Sequence, residues 1–468
     1  MITLQLLLAL LLTVAPAWIW LHRLVPLETP ARNWLLAGYS AALGMLATTL
    51  IMRLLSVIGL PFSLYSIGAV ALLLCAAGLL APASWRSGPA IVQPRAELPL
   101  SRWQYLFIGL CLALLAARLL SLGLELGTRP VTSWDAKQHW TKQARVFFEL
   151  GAVAPYVSLQ QWLELGGSGV YTNMHPDYPI ATPLLQAWTA TALGSWHESL
   201  VNLPWLVIWA ATGLVFYSQA RLAGASAAVA IGATYMVLSM PYLNIHIALA
   251  GYADALMACC YLGAVAALYN WSQQRSAFQL LLALLCGAGC MLIKNEGFYW
   301  FLTLFPGILL VLVGIRRGLM VLAVLALLLV LAIWLMPADL EIAGHSLAET
   351  RIRYRPDSWL SIYLSFLVHA NWHVLAYIAL AALAAVPLFA RAALPVAAVV
   401  VSALLLYLAL YLFTKNAVGA VQFTSLNRVA LQLMPALGFF SLAVFTLLAN
   451  RTQGSAKANG AASPAAAG

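Results

Sequence analysis

Residues 129–151 read RPVTSWDAKQHWTKQARVFFELG, and residues 171–183 read YTNMHPDYPIATP. The first stretch carries Asp135, Lys137, His139, Lys142 and Arg145; the second carries His175 and Asp177. Almost everything around this polar loop is apolar. Of 468 residues, 63% are hydrophobic and 8% are charged, against about 25% charged in a soluble domain. Mean hydropathy is +0.90. Such a chain reads as a polytopic membrane protein. A loop that gathers reactive groups in so apolar a chain reads as the floor of an enzyme active site.

A helix that crosses hydrocarbon needs about 20 apolar residues. Thirteen segments are candidates, roughly 2–20, 34–52, 63–81, 104–124, 199–219, 223–241, 249–270, 277–293, 298–315, 318–336, 373–390, 394–413 and 429–449. Lipid offers the backbone no hydrogen-bond partner, so these runs must be helical. The expected fold is an all-α transmembrane bundle of about 13 spans. Residues 1–103 read as a three-span module with a Pro/Arg-containing linker, 104–449 as the core, and 450–468 as a disordered cytoplasmic tail rich in Ala, Gly and Ser. The spacing of Trp140, Ala144, Phe147 and Phe148 predicts a helix over 136–150 lying along the membrane surface. Residues 180–193 are apolar but short, and read as interfacial or re-entrant. All six cysteines lie in apolar spans without a metal-binding spacing, so they read as packing residues.

The formal charge of +10 does not point to nucleic acid, because Lys and Arg recur at short connections between spans. The connections after odd-numbered spans hold Arg23, Arg32, Arg86, Arg95, Arg102, Arg221, Arg275, Arg316, Arg317 and Arg391, and the tail holds Arg451 and Lys457. The opposite set offers mainly Arg53, Lys294, Lys415 and Arg428. The positive-inside rule then places the first set in the cytoplasm and the loop 125–198 outside. Of 14 Asp and Glu residues, only Glu28 and Glu97 fall on the cytoplasmic side. Acids do not normally set topology, so this asymmetry suggests that the outer face carries the chemistry.

Beyond the two opening stretches, GSWHESLVNLPW (194–205), GYADALMA (251–258), IKNEGF (293–298) and NRVALQLMPAL (427–437) follow in order. Together they resemble the GT-C superfamily of integral membrane glycosyltransferases, which includes protein O-mannosyltransferases and lipid A aminoarabinose transferases. The resemblance covers about residues 104–449. In that family an acidic motif in the first large outer loop precedes a His-Pro or Tyr-Pro segment and a Gly-x-x-Glu-x-x-x-Arg-x-Pro turn. Glu198 and Pro204 match that turn, whereas Gly194 stands one residue early and Asn202 replaces the Arg. The acidic loop here follows the fourth span, not the first.

The resemblance implies transfer of a sugar from a polyprenyl-phosphate carrier to a hydroxyl of a glycan, lipid or protein acceptor. It places the reaction at the outer face of a bacterial inner membrane. That chemistry needs a base for the acceptor proton and cations for the phosphate leaving group. Asp135 is the expected base, or else the cap of the helix that follows it. Asp177 is the second carboxylate, either orienting the acceptor or serving a Pro-bracketed turn. Lys137, His139 and His175 stand in the same loop as candidate substrate contacts. His175 either hydrogen-bonds substrate, binds a metal or is simply solvated. No firm metal triad is visible, and a divalent metal stays open.

Lys294 and Glu296 interrupt an apolar run, where charges are costly. They read as a phosphate contact and its positioning partner, or as a plain connecting turn. Arg428 is a further phosphate candidate by resemblance. Arg351, Arg353 and Arg355 alternate and would clamp phosphate from one side of an extended segment. Asp254, early in a span, reads as functional unless a neighbour such as Arg118 pairs with it. Trp134, Trp140, Trp162 and Tyr178 are candidates to stack on a sugar. A transporter or flippase is the competing class, with repeat symmetry and midplane polar sites as its marks. An oligosaccharide polymerase or ligase using a diphosphate-linked donor is the other alternative.

Overall fold

A computed structural model describes residues 2–82, 99–335, 341–342, 345–346 and 353–461. It is almost entirely helical. The first helices are α1 (Ile2–Leu24), α2 (Arg32–Val57), α3 (Leu64–Leu80) and α4 (Arg102–Thr128). The long loop holds α5 (Lys142–Leu150), α6 (Leu159–Glu164) and α7 (Ala181–Leu193). Next come α8 (Pro204–Leu222), α9 (Ala227–Leu238), α10 (Pro241–Ala248), α11 (Asp254–Gln274) and α12 (Ala277–Ile293). The chain continues through α13 (Glu296–Leu302), α14 (Leu304–Val313), α15 (Ile315–Leu335) and α16 (Ser358–Tyr363). It closes with α17 (Leu375–Phe389), α18 (Leu394–Phe413), α19 (Ala417–Val421) and α20 (Leu426–Ala461). A two-residue parallel pairing of Tyr156–Val157 with Tyr171–Thr172 closes part of the long loop.

Among the described residues, nine helices are long and apolar enough to cross a membrane, or ten if α9 and α10 form one span bent by 59°. The protein is therefore an integral membrane protein. The other expected spans fall on α3, α12 and α17, which are apolar but shorter. Their ends are shortened by particular residues: Ser63 caps α3, Lys294 leaves the helical region after α12, and His373 adopts a positive φ before α17.

Helix α11 is apolar nearly all round and buried nearly all round, as expected of a helix at the centre of a bundle. It packs against α8, α12 and α20. By contrast α4 and α15 present most of their length outward. Residues 2–82 share this core: Tyr39 of α2 donates its hydroxyl to the carbonyl of Gly263 at 2.8 Å, and Leu35, Leu36 and Met45 belong to the same apolar cluster as α11.

Two elements differ in outline from the reading of the sequence. Helix α7 is enclosed on every side rather than lying at a lipid surface: it packs against α1, α2 and α5, and its Trp188 donates to Thr13 Oγ1 at 3.0 Å. Its run IATPLLQAW has no polar face to offer water, so burial is the stable choice. Helix α20 continues to Ala461, into the tail read as disordered; an Ala-rich segment propagates cheaply from a helix already nucleated. Residues 462–468 lie outside the described residues, as do Arg351 and the linker positions Arg86, Arg95 and Glu97.

Candidate active site

Asp254 opens α11 and is fully enclosed. A carboxylate taken out of water persists only when charge and hydrogen bonds compensate it. Three side chains do so. Lys294 Nζ lies 3.2 Å from Oδ1, Gln432 donates from Nε2 to the same oxygen at 2.7 Å, and Arg428 donates from Nε to Oδ2 at 3.0 Å. Lys294 Nζ also lies 3.0 Å from Glu296 Oε1, and Arg428 pairs through Nη1 with Asp135. The outcome is a chain of alternating charge: Asp135, Arg428, Asp254, Lys294, Glu296. Its members come from the loop after α4, from the start of α20, from the start of α11 and from the turn between α12 and α13. All stand at helix ends.

Local sequence explains how each group arrives there. Asp135 precedes a wide π-type turn over Ala136–Thr141 and makes no capping hydrogen bond. The capping role expected as its alternative is therefore absent, because its carboxylate is committed to Arg428. Widened turns of this kind recur at functional sites. The loop docks at Gly251, whose φ of +97° places it in the left-handed region; a Cβ there would stand 2.7 Å from the Cβ of Ala136. Gly297 serves the IKNEG turn by close approach, since a Cβ would meet the Cys290 carbonyl. The turn thus folds tightly enough to hold Lys294 at 5% exposure beside Asp254.

The HPDYP segment joins the same end of the bundle. Asn295 donates from Nδ2 to Asp177 Oδ2 at 2.7 Å. His175 and Tyr178 stack with ring centroids 4.8 Å apart, and His139 and His175 lie 5.1 Å apart. His139 and Asn173 form a reciprocal pair: Nδ1 meets Asn173 Oδ1 at 3.1 Å, and Asn173 Nδ2 donates to the His139 carbonyl at 3.0 Å. The amide oxygen only accepts, so Nδ1 carries the proton and Nε2 stays an acceptor in the neutral ring. Burial pushes the His139 imidazole below its ordinary value, with the hydrogen bond to Asn173 opposing. The Arg428 guanidinium sits 4.5 Å from the centre of the Tyr252 ring, a cation–π contact that adds to its fixation.

Of the residues singled out from sequence, Asp135, Asp177, His139, His175, Lys294, Glu296 and Arg428 thus converge on one end of the bundle. Lys137 is exposed and belongs to none of the cluster's ion pairs. Arg353 is also exposed, and its backbone donates to the Phe413 carbonyl at 3.1 Å. Arg355 is half-buried, and its enclosed Nε has no partner among the described residues. Among the described residues, Arg353 and Arg355 join none of the cluster's ion pairs; Arg351, the third arginine of the expected clamp, lies outside them. Arg118 does not pair with Asp254; the α11 carboxylate finds Lys294 and Arg428 instead. Trp140, at 1% exposure, is packed under Tyr178 and has no face for a sugar, whereas Trp134 is exposed and Tyr178 half-buried.

Sequence reading missed Gln432, Asn295, Asn173 and Tyr252. Gln432 had a usable signal: it stands four residues after Arg428 in an apolar helix, hence on the same face. Among the described residues no three His, Cys, Asp or Glu side chains converge as a metal site. Compared with protein-family models, curated proteins and solved structures, the chain matches none.

Proposed function

We propose that the protein is a glycosyltransferase of the bacterial inner membrane. In this reading it has about 13 spans and its active site faces the periplasm. It moves a sugar from a polyprenyl-phosphate donor to an acceptor hydroxyl. The observation that carries this reading is the bridge made by Arg428 between Asp135 and Asp254, with Lys294 beside it.

Asp135 is the partly accessible end of that chain and Asp254 the enclosed one. A phosphate placed against Lys294 and Arg428 would offer Arg428 an anionic partner in exchange for Asp135. The freed carboxylate then takes the acceptor proton as the acceptor oxygen attacks the anomeric carbon. The bond between that carbon and the phosphate oxygen breaks, and the polyprenyl phosphate leaves with its charge held by the two cations. Asp254 keeps both cations in place throughout. Asp177, held by Asn295, and the His139–His175 pair line the acceptor side.

A transporter would be served by polar sites near the midplane of its spans. The charged cluster here sits at helix ends, which favours surface chemistry. The test is release of polyprenyl phosphate from polyprenyl-phosphate hexoses or pentoses by purified protein in nanodiscs. Asp135→Asn should lower release by about 10²-fold or more. The loss in thermal unfolding should be modest, because Arg428 keeps Asp254 as its partner. Near-wild-type release by that variant would remove Asp135 as the base.

A further inference from the structure

A groove opens between α4 and the bend that joins α9 to α10, outside the cluster described above. It has a volume of about 220 Å³ and is lined by Leu114, Leu115, Arg118, Ser121, Tyr235 and Ser239. Arg118 lies about 24 Å along α4 from Arg102, at a rise of about 1.5 Å per residue. The hydrocarbon layer is about 30 Å thick. In the orientation proposed above, Arg118 therefore stands in the outer half of the membrane. It is exposed, and no ion pair or hydrogen bond among the described residues involves it. A guanidinium facing hydrocarbon is costly unless it reaches water or meets an anion.

The other polar groups of the groove are the hydroxyls of Ser121, Tyr235 and Ser239, and Ser239 Oγ lies 3.2 Å from His373 Nε2. No carboxylate lines it. A cation beside three hydroxyls and walled by leucines selects an anion that carries an apolar tail. The planar fork of arginine matches phosphate oxygens in particular. The groove is also distinct from the charged cluster. Ser239 precedes α10 and Tyr252 follows it, with α10 about 12 Å long. Between them the rings of Tyr242, His246 and Tyr252 succeed one another at 4.7 and 4.9 Å.

We propose that this groove binds the phosphate group of a membrane lipid at Arg118, with the lipid chain lying along Leu114 and Leu115. A phospholipid and an isoprenoid phosphate share this chemistry, and the experiment separates them. Purified protein in detergent is incubated with phosphatidylglycerol, with a short-chain polyprenyl phosphate or with diacylglycerol as a tail-only control. Bound lipid is then counted by native mass spectrometry.

Wild-type protein should retain a phosphate lipid and release diacylglycerol. Arg118→Gln should retain that lipid about tenfold less or weaker still, on the scale of a lost charge-assisted contact. Arg118→Lys should recover part of the difference. Should Arg118→Gln unfold, Ser239→Ala provides a gentler variant on the opposite wall, with retention expected to fall several-fold. Loss of phosphatidylglycerol identifies a phospholipid site, loss of polyprenyl phosphate an isoprenoid site, and either supports the proposal. Equal retention by wild type and Arg118→Gln overturns it, as does diacylglycerol bound as firmly as the phosphate lipids. The readout needs no catalysis: retention lost in Arg118→Gln while polyprenyl phosphate is still released, or release lost while retention persists, lets this proposal and the glycosyltransferase reading fail separately.

Discussion

Asp254 ties the charged cluster together. Three donors converge on it at 2.7–3.2 Å, and two of them are the cations proposed to hold phosphate. Asp254→Asn keeps the shape and removes the charge. Each cation retains another carboxylate, Glu296 for Lys294 and Asp135 for Arg428. The cost should thus sit near about 1.5–3 kcal/mol, the scale of a charge-assisted hydrogen bond. An orphaned buried ion would cost about 3–5 kcal/mol. Thermal unfolding in detergent measures the loss, and a change within error would show that Asp254 is dispensable to the network. His139 makes a pH prediction. Burial lowers its folded-state value, while the unfolded chain titrates near about 6.5. The unfolded state then binds more protons as pH falls below that value, so stability declines until the folded-state value is reached. His139→Asn should flatten the fall in unfolding temperature between about pH 7.5 and 5; an unchanged slope would assign the dependence to other groups.

Two breaks in regular helix place the chemistry. The π-type turn over Ala136–Thr141 brings Asp135 and His139 to the end of the bundle, and the bend between α9 and α10 lets Tyr252 and Asp254 face them. The hinge between these parts is Gly251. Gly251→Ala would both occupy a left-handed backbone and press its Cβ to 2.7 Å from Ala136. The expected cost is about 1–3 kcal/mol, with transfer reduced because the loop bearing Asp135 is displaced. Gly194→Ala is the control, because Gly194 has a φ of +70° but open space around it. It should show strain in unfolding and keep its activity. Equal losses in the two variants would mean that backbone conformation, and not docking of the loop, is what Gly251 supplies.

At the scale of the whole molecule, the proposed orientation rests on the Arg-rich connections lying opposite the long loop. Single cysteines at Ser168, exposed in that loop, and at Gln273, exposed at the end of α11, report on the two sides. Five native cysteines are buried and Cys75 is half-buried, so the background is low. An impermeant thiol reagent applied to intact cells should label Ser168→Cys and spare Gln273→Cys; the reverse pattern would invert the topology. Residues 2–82 pack into the same bundle as the rest. Helix α2 donates Tyr39 to a buried network with Gln219 and Gly263, so its removal would open the centre of the bundle.

Hydropathy alone marks this chain as a helical membrane protein, because it is additive along a run and needs no knowledge of neighbours. It also exposed Asp135, Asp177, Lys294 and Arg428, because polar groups at the edges of apolar runs stand out. Their pairing, in contrast, depends on how the helices pack. Arg428 reaches Asp254 and Asp135 across separations of 174 and 293 residues, and no local pattern encodes which helix ends meet. For the same reason Arg118 was a plausible partner for Asp254 until packing set them apart, and Gln432 stayed unnoticed until α20 lay against α11. Arg353 fits a regular alternation in sequence, yet its backbone docks on the end of α18 while its side chain faces outward. Charge pattern is local, whereas the enclosure that makes a charge need its partner is a property of the packed bundle.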